Sequence, residues 1–143
     1  MEMTSSTTET AARLRRAITR LNRRLRYSAL GGVSPAQASM LASIDSLTNP
    51  SLGDLAIAEQ IQPPSVTRLV RTMQEARLIT CVRDPDDRRS TRVSLTPLGR
   101  RELEGIRRRK TEFLERTLLS LSMHDQQKAD ELVEFLEMLL ADE

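Results

Sequence analysis

The feature that most restricts this chain is a change of period between residues 66 and 95. Val66, Leu69, Val70 and Met73 stand at i, i+3, i+4 and i+7, which is one face of a helix. Directly afterwards the spacing becomes that of strands. Ile79-Thr80-Cys81-Val82-Arg83 and Thr91-Arg92-Val93-Ser94-Leu95 flank Asp84-Pro85-Asp86-Asp87, a turn signal. An amphipathic helix is therefore followed at once by a hairpin, and the hairpin's tip carries Arg88 and Arg89.

The residues before this helix complete a pattern. Leu52, Leu55, Ala56 and Ile61 outline a helix of about two turns. Gln62-Pro63-Pro64-Ser65 must be a turn or the first turn of the next helix, because proline has no N–H to give to a helix interior. Upstream, Ser34-Pro35-Ala36-Gln37 reads as a capping box with proline at the first helical position. Leu41, Ile44 and Leu47 supply that helix's buried face, and Asn49-Pro50 stops it. Two helices, a tight turn and a basic-tipped hairpin are the plan of a winged helix-turn-helix. Such a second helix fits the major groove of duplex DNA, its N-terminal amides attract phosphate, and an arginine on the hairpin enters the narrower minor groove. Opposite the apolar stripe lie Pro64, Arg68 and Arg71, with Glu75. Arg68 and Arg71 are expected to meet DNA, Thr67 a phosphate. Pro64 and Ser65 either start the helix only or also touch bases or phosphates.

Both chain ends are helical in pattern. Ala11, Leu14, Ile18, Leu21 and Leu25 form a stripe that Gly31 and Gly32 end. Thr96-Pro97 opens a helix of about 25 residues through Leu103, Ile106, Phe113, Leu114, Leu118 and Leu121. Ser122-Met123-His124-Asp125 reads as another capping box, and Ala129, Leu132, Phe135, Leu136 and Leu139 line the last helix. These stripes have no adequate partner within so short a chain. Charge is divided between the ends. Arg13, Arg16, Arg20 and Arg23 make one helical stripe, and Asp130, Glu134 and Glu137 make another. The arginines can bind phosphate, an anionic ligand or only water; the reading favoured is that the two stripes face each other across a dimer.

Residues 52–99 resemble the multiple-antibiotic-resistance regulator (MarR) family. Asp87, Arg89, Val93, Leu95 and Thr96 fit that family's D-x-R-x-x-x-V-x-L-T wing pattern, and Ser65-Val66-Thr67-Arg68-Leu69-Val70 is similar to its recognition helix. The resemblance implies a homodimer built by the first helix and the last two, here through Leu14, Ile18, Leu21, Phe113, Leu132, Phe135, Leu136 and Leu139. It implies that Arg89 enters the minor groove, that Asp87 orients it, and that a small phenolic or other anionic effector binds between the dimer helices and the DNA-binding lobe. The sequence departs from the family at Arg77, where glycine is frequent after the recognition helix; a left-handed residue there is strained by about 1 kcal/mol or more.

The expected fold is thus mainly α, with a two-stranded β wing and a helical dimerisation region from both chain ends. Residues 1–10 are expected to be a disordered tail, 11–30 an N-terminal dimerisation helix, 34–99 the winged helix-turn-helix lobe and 100–143 the C-terminal dimerisation helices. The expected function is sequence-specific regulation of transcription: repression from a palindromic operator, relieved by a small-molecule effector. Aromatic residues are 2% of the chain, which suits stacking on single strands poorly. No nucleophile elbow or phosphate-cradling glycine loop is present, so no enzyme and no cofactor are expected. His124 has no cluster at ligand spacing, so no metal is expected. The single cysteine excludes an internal disulfide, and a reducing cytoplasm is the expected compartment. Cys81 reads as a buried packing residue; peroxide-sensing members of the family carry cysteine in the first helix, and this first helix has none. No apolar run approaches the ~20 residues of a membrane span.

Overall fold

Serine and threonine caps set where most helices begin. Ser34 accepts a hydrogen bond from the Gln37 amide while the Gln37 side chain accepts from Ser34, and α2 runs Pro35–Leu47 behind this box. Ser51 and Asp54 form the same reciprocal pair at the start of α3, Leu52–Glu59. Thr96 caps α5, Pro97–Leu119, through the Gly99 amide. At α6, Met123–Leu140, Ser122 accepts from the Asp125 amide at 3.2 Å, and Asp125 turns instead to Lys128, so this expected capping box is only half made.

The computed structural model describes residues 2–141. The remaining elements are α1 (Glu2–Ala29), α4 (Pro63–Glu75), β1 (Ile79–Arg83) and β2 (Thr91–Leu95). The strands pair antiparallel with Cys81 opposite Val93 and Arg83 opposite Thr91. Val93 also donates its N–H to the Pro50 carbonyl, and Ser51 bridges to Arg92, so the chain entering α3 covers part of the hairpin's edge. One core joins these pieces. Met40, Leu41 and Ile44 of α2, Leu55 of α3, Val66, Val70 and Met73 of α4, Val93, and Leu103 and Ile106 of α5 are all buried. Full burial of such a side chain stabilises by about 1.5–3 kcal/mol, and here it orients α4 and the hairpin together.

Several expectations change. Residues 2–10, read as a disordered tail, are the first turns of α1, which has no break before Ala29. Nothing between them and the apolar stripe is proline or glycine, and propagation from a formed helix is far easier than nucleation. Thr10 also returns its hydroxyl to the Ser6 carbonyl at 3.0 Å. Residue 1 of that tail, and Asp142 and Glu143 of the expected C-terminal helices, lie outside the described residues. Residue 99 is no boundary: α5 crosses it unbroken, and its first half belongs to the core of the DNA-binding lobe. Leu47, the last residue of α2, lies beyond the core edge and is exposed. Cys81 is only half-buried, and burial pushes its thiol up from the usual range, away from the reactive thiolate.

Arg77 adopts the strained conformation that the sequence implies. It follows α4 with φ of 60°, its N–H reaching the Gln74 carbonyl while Leu78 reaches Met73, the paired bonds of a Schellman ending. The exit is held from the far side as well. The Thr96 hydroxyl donates to the Arg77 carbonyl at 2.6 Å, and the Thr96 amide donates to Leu78. Gly99 lies against the same strand of chain, where a Cβ would come within 2.0 Å of the Leu78 oxygen. Arg77→Gly is expected to stabilise the protein by about 0.5–1 kcal/mol, relief of the left-handed strain exceeding the entropy that glycine adds to the unfolded chain. Urea denaturation at fixed protein concentration measures this; a destabilised glycine variant contradicts it.

Candidate nucleic-acid interface

Gln60, left-handed at φ of 54°, ends α3 and lets the chain turn into α4 within Gln60–Gln62. Pro63 and Pro64 occupy the first two positions of α4. This has a consequence for phosphate binding. The prolines have no N–H, and the Ser65 and Val66 amides both bond the Gln62 carbonyl. The expected phosphate-attracting amides at the start of α4 are therefore absent, and only side chains there can meet an anion. Pro64, Ser65, Thr67, Arg68 and Arg71 are all exposed, opposite the buried Val66, Val70 and Met73, with Ser65 at the margin of the face. Thr67 gives its hydroxyl proton to the Pro63 carbonyl at 3.1 Å, which leaves an oxygen that accepts but does not donate.

The wing turn is built on two carboxylates. Asp84 accepts from the Asp86 amide at 2.9 Å and from the Asp87 amide at 3.4 Å, and its own amide donates to Ser90. Asp87 accepts from the Arg89 amide at 3.1 Å. Asp87 thus meets Arg89 only at its backbone; its carboxylate makes no ion pair with the guanidinium. Arg88 and Arg89 are exposed, and Arg89 and Asp87 line a shallow cleft of about 210 Å3 with Ser51, Leu52 and Gly53 at the start of α3.

The arginines of this lobe fall into two groups. Arg92 pairs with Asp84 at 2.8 Å and Asp54 at 3.6 Å; Arg100 and Arg107 pair with Asp45 at 3.1 and 2.9 Å; Arg109 donates to the Ala29 carbonyl at 2.9 Å. Arg68, Arg71, Arg88 and Arg89 have no partner among the described residues, and neither has Arg83 on β1, which the sequence reading missed. Free guanidinium groups are thus concentrated on α4 and the wing, while Arg92, Arg100 and Arg107 pair with aspartates; Arg77 after α4 and Arg101 of α5 also make no ion pair among the described residues. The signal for Arg83 was available: it closes β1 beside the turn.

The paired carboxylates titrate low. Arg107, then Arg100, hold Asp45 below the ordinary aspartate range, and Arg92, then the Asp86 amide, do so for Asp84. A carboxylate whose folded value is depressed stabilises above its unfolded value, and the contribution is lost as pH falls through the depressed one. Carboxyl-carbon NMR is expected to show both residues still ionised where free aspartate protonates. Arg92→Gln should return Asp84 toward the ordinary range and leave Asp45 unmoved; an unmoved Asp84 counts against the assigned cause.

The expected dimer residues lie on two surfaces. Ile18 and Leu21 of α1 are about half exposed, Leu14 less so, and Phe113 of α5 is partly covered by the Arg24 guanidinium, 5.6 Å from its ring centre. On α6 no residue is buried: Leu132, Phe135 and Leu139 are 50%, 46% and 52% exposed, and Leu136 is partly covered. The α1 arginine stripe and the α6 acidic stripe form no ion pairs with each other within the described chain. Among the described residues no His, Cys, Asp and Glu cluster fits a metal, and no helix is long and apolar enough to cross a membrane.

The sequence profile of the MarR family matches residues 33–91. An HTH-type transcriptional regulator of Mycobacterium tuberculosis is 31% identical over 123 residues, 84% of this chain and 85% of that protein. A transcriptional regulator from Pseudomonas aeruginosa, known from its crystal structure, superposes with a TM-score of 0.83 at 30% identity over 96% of each chain. More distantly, the fold is shared with BpsR of Bordetella bronchiseptica, whose DNA binding is regulated by 6-hydroxynicotinic acid; the TM-score is 0.59 and the identity 23%, over 90% of this chain and 98% of that one. A relative at this identity across most of both chains, with the profile lying on the helix-turn-helix and wing, shows that the chain belongs to the MarR family of DNA-binding transcriptional regulators.

Proposed function

We propose that this regulator is a cytoplasmic homodimeric repressor that binds an imperfect palindrome in a promoter and leaves it when a small anionic or phenolic compound binds. The observation that carries the DNA reading is the segregation of unpartnered arginines. Arg68, Arg71, Arg88 and Arg89 stand free on α4 and the wing, while Arg92, Arg100 and Arg107 are paired with aspartates. In this reading Arg68 and the first turn of α4 meet base edges, Arg71 meets a phosphate, Thr67 does so on exchanging its bond to the Pro63 carbonyl, and Arg89 enters the minor groove. Two copies related by a twofold axis place two such lobes on half-sites one helical turn apart, about 10 bp. Repression follows because a dimer across a promoter excludes polymerase.

The effector reading rests on a cleft where α1, α2 and α5 meet. It has a volume of about 260 Å3, a floor that includes Leu30, Leu103 and Ile106, and Arg26, Arg107 and Lys110 around it. An apolar floor with cationic groups suits a small aromatic acid. The ligand named for BpsR is of that class.

Footprinting and gel retardation on the DNA upstream of the regulator's own gene test both readings. The expected result is a symmetric footprint that resists unrelated competitor DNA and is lost on titration with hydroxylated aromatic carboxylates. An asymmetric single half-site, or equal competition by unrelated DNA, overturns the operator reading. Protection that no such acid relieves overturns the effector reading.

A further inference from the structure

A two-stranded hairpin is marginal by itself, so the aim of its tip depends on what ties it to the lobe. Buried Ile79 and Val93, the Val93–Pro50 backbone bond and the Ser51–Arg92 bridge hold the base of the hairpin; nearer its tip, the tie is a side chain that lies outside the DNA-contacting set. Arg92 of β2 donates through Nε to Asp84 Oδ2 at 2.8 Å, and its Nη1 lies 3.6 Å from Asp54 Oδ2. Asp54, the third residue of α3, closes the capping box by accepting from the Ser51 amide at 2.9 Å. Asp84 uses its second oxygen to hold the Asp86 and Asp87 amides, and Asp87 in turn holds the Arg89 amide. A continuous path of hydrogen bonds and two ion pairs thus runs from the start of α3 to the backbone of Arg89.

We propose that Arg92 is a positioning residue for DNA recognition: by joining Asp54 to Asp84 it fixes the wing turn, and with it Arg89, relative to α3. The charges argue against the simpler view that Arg92 is itself a phosphate ligand. One guanidinium between two carboxylates leaves the trio with a net charge of −1, whereas Arg68, Arg71, Arg88 and Arg89 carry their charge free. A share in stability remains at Asp84, whose side chain is only 14% exposed, while the half-exposed Arg92–Asp54 contact at 3.6 Å contributes little to folding. What the trio supplies is geometry. Arg89 lines the cleft beside Ser51, Leu52 and Gly53, and only a fixed wing keeps it there.

The proposal rests on Arg89 being a DNA contact, and the experiment separates the two. Operator affinity is measured for the wild type, Arg92→Gln, Arg89→Ala and the double variant, on A·T-rich and G·C-rich flanks, across a salt series. Arg92→Gln is expected to weaken binding about fivefold or more in the wild-type background and less than about twofold in the Arg89→Ala background, since coupled residues are not additive. The salt slope should stay as it was. Asp84→Asn retains an oxygen for the turn amides but breaks the ion pair, and it should reproduce Arg92→Gln. Arg92→Lys, with a point charge in place of a fork, should restore only part of the loss. Losses that add in the double variant, no loss in Arg92→Gln, or a salt slope lower by about 1.8 for two lost phosphate contacts would each overturn the proposal. If Arg89→Ala binds as the wild type does, the Arg89 reading fails first, whatever Arg92 does. Thermal unfolding of each variant above the assay temperature separates these outcomes from loss of fold, and Asp84→Asn replaces Arg92→Gln where that variant does not fold.

Discussion

Replacing Leu132 and Phe135 by aspartate is expected to leave a chain that no longer dimerises and binds its operator no better than unrelated DNA. The reason lies in α6, which buries no side chain within one copy and carries Leu132, Phe135, Met138, Leu139 and Leu140 about half exposed or more. A soluble helix that keeps such a stripe in water needs a partner. The nearest partner in charge is the α1 region of a second copy, with Ile18 and Leu21 exposed beside an arginine stripe that faces no carboxylate at home. Twofold symmetry counts every contact twice. Full burial of a leucine or phenylalanine stabilises by about 1.5–3 kcal/mol, and Leu132 and Phe135 have about half of their surface left to bury, so losing two per copy removes about 3–6 kcal/mol before the added charges are considered. Set against the roughly 8 kcal/mol of a micromolar dimer, that loss together with four carboxylates placed in an apolar seam leaves no stable pair at micromolar concentration. Specific binding exceeds nonspecific by about 10³-fold or more, and a lone lobe forfeits the second half-site. Sedimentation velocity gives the assembly state and circular dichroism the fold. A wild type that sediments as a stable folded monomer at micromolar concentration removes the basis of the prediction, as does a double-aspartate variant that remains dimeric.

What the sequence disclosed and what it hid divide along chain distance. The strands were legible residue for residue, Ile79–Arg83 and Thr91–Leu95, because period two and an Asp-Pro turn are local signals. The Ser34 box and the strain at Arg77 were legible for the same reason. The absence of amide donors at α4 was also local, written in Pro63-Pro64, but the general rule for helix N-termini obscured it. The pairs of Arg92 with Asp54, of Arg100 and Arg107 with Asp45, and of Arg109 with the Ala29 carbonyl join residues far apart in the chain. Nothing in spacing marks them, and each arginine was indistinguishable in sequence from those that stay free. Gly105 illustrates the point: a Cβ would approach the Arg109 guanidinium to 3.2 Å, a neighbour that only the fold, through the Ala29 carbonyl, holds there, whereas Gly31 is already required locally by its φ of 55°. Residues 2–10 were misjudged for another reason. Serine and threonine are weak helix formers alone, but they extend a helix that the stripe from Ala11 to Leu25 has already nucleated.

Arg71→Ala and Arg89→Ala are expected to fail in different ways on the same DNA. Arg71 lies on the exposed face of α4 beyond its first turn, with its charge unpaired, so the nearest group of a docked duplex is a phosphate. Its loss should weaken all sequences alike and reduce the log–log salt slope by about 0.9 per contact, about 1.8 per dimer. Because α4 offers no free amides to phosphate, no backbone contact at that helix start compensates. Arg89 stands on the wing turn, its backbone fixed by Asp87 at 3.1 Å and its guanidinium free. A narrow A·T-rich minor groove has the deeper negative potential, so Arg89→Ala should lose more on operators with A·T-rich flanks than on G·C-rich ones. Asp87→Ala should reproduce part of that preference loss, because the amide it holds sets where Arg89 begins. It should leave the salt slope close to that of the wild type, since no cation is removed. The three variants on flank-swapped operators across a salt series give the answer. Equal loss on both flanks for Arg89→Ala makes the wing an electrostatic anchor and ends the shape-reading account. A flank-dependent loss for Arg71→Ala would move that residue from phosphate contact to sequence recognition.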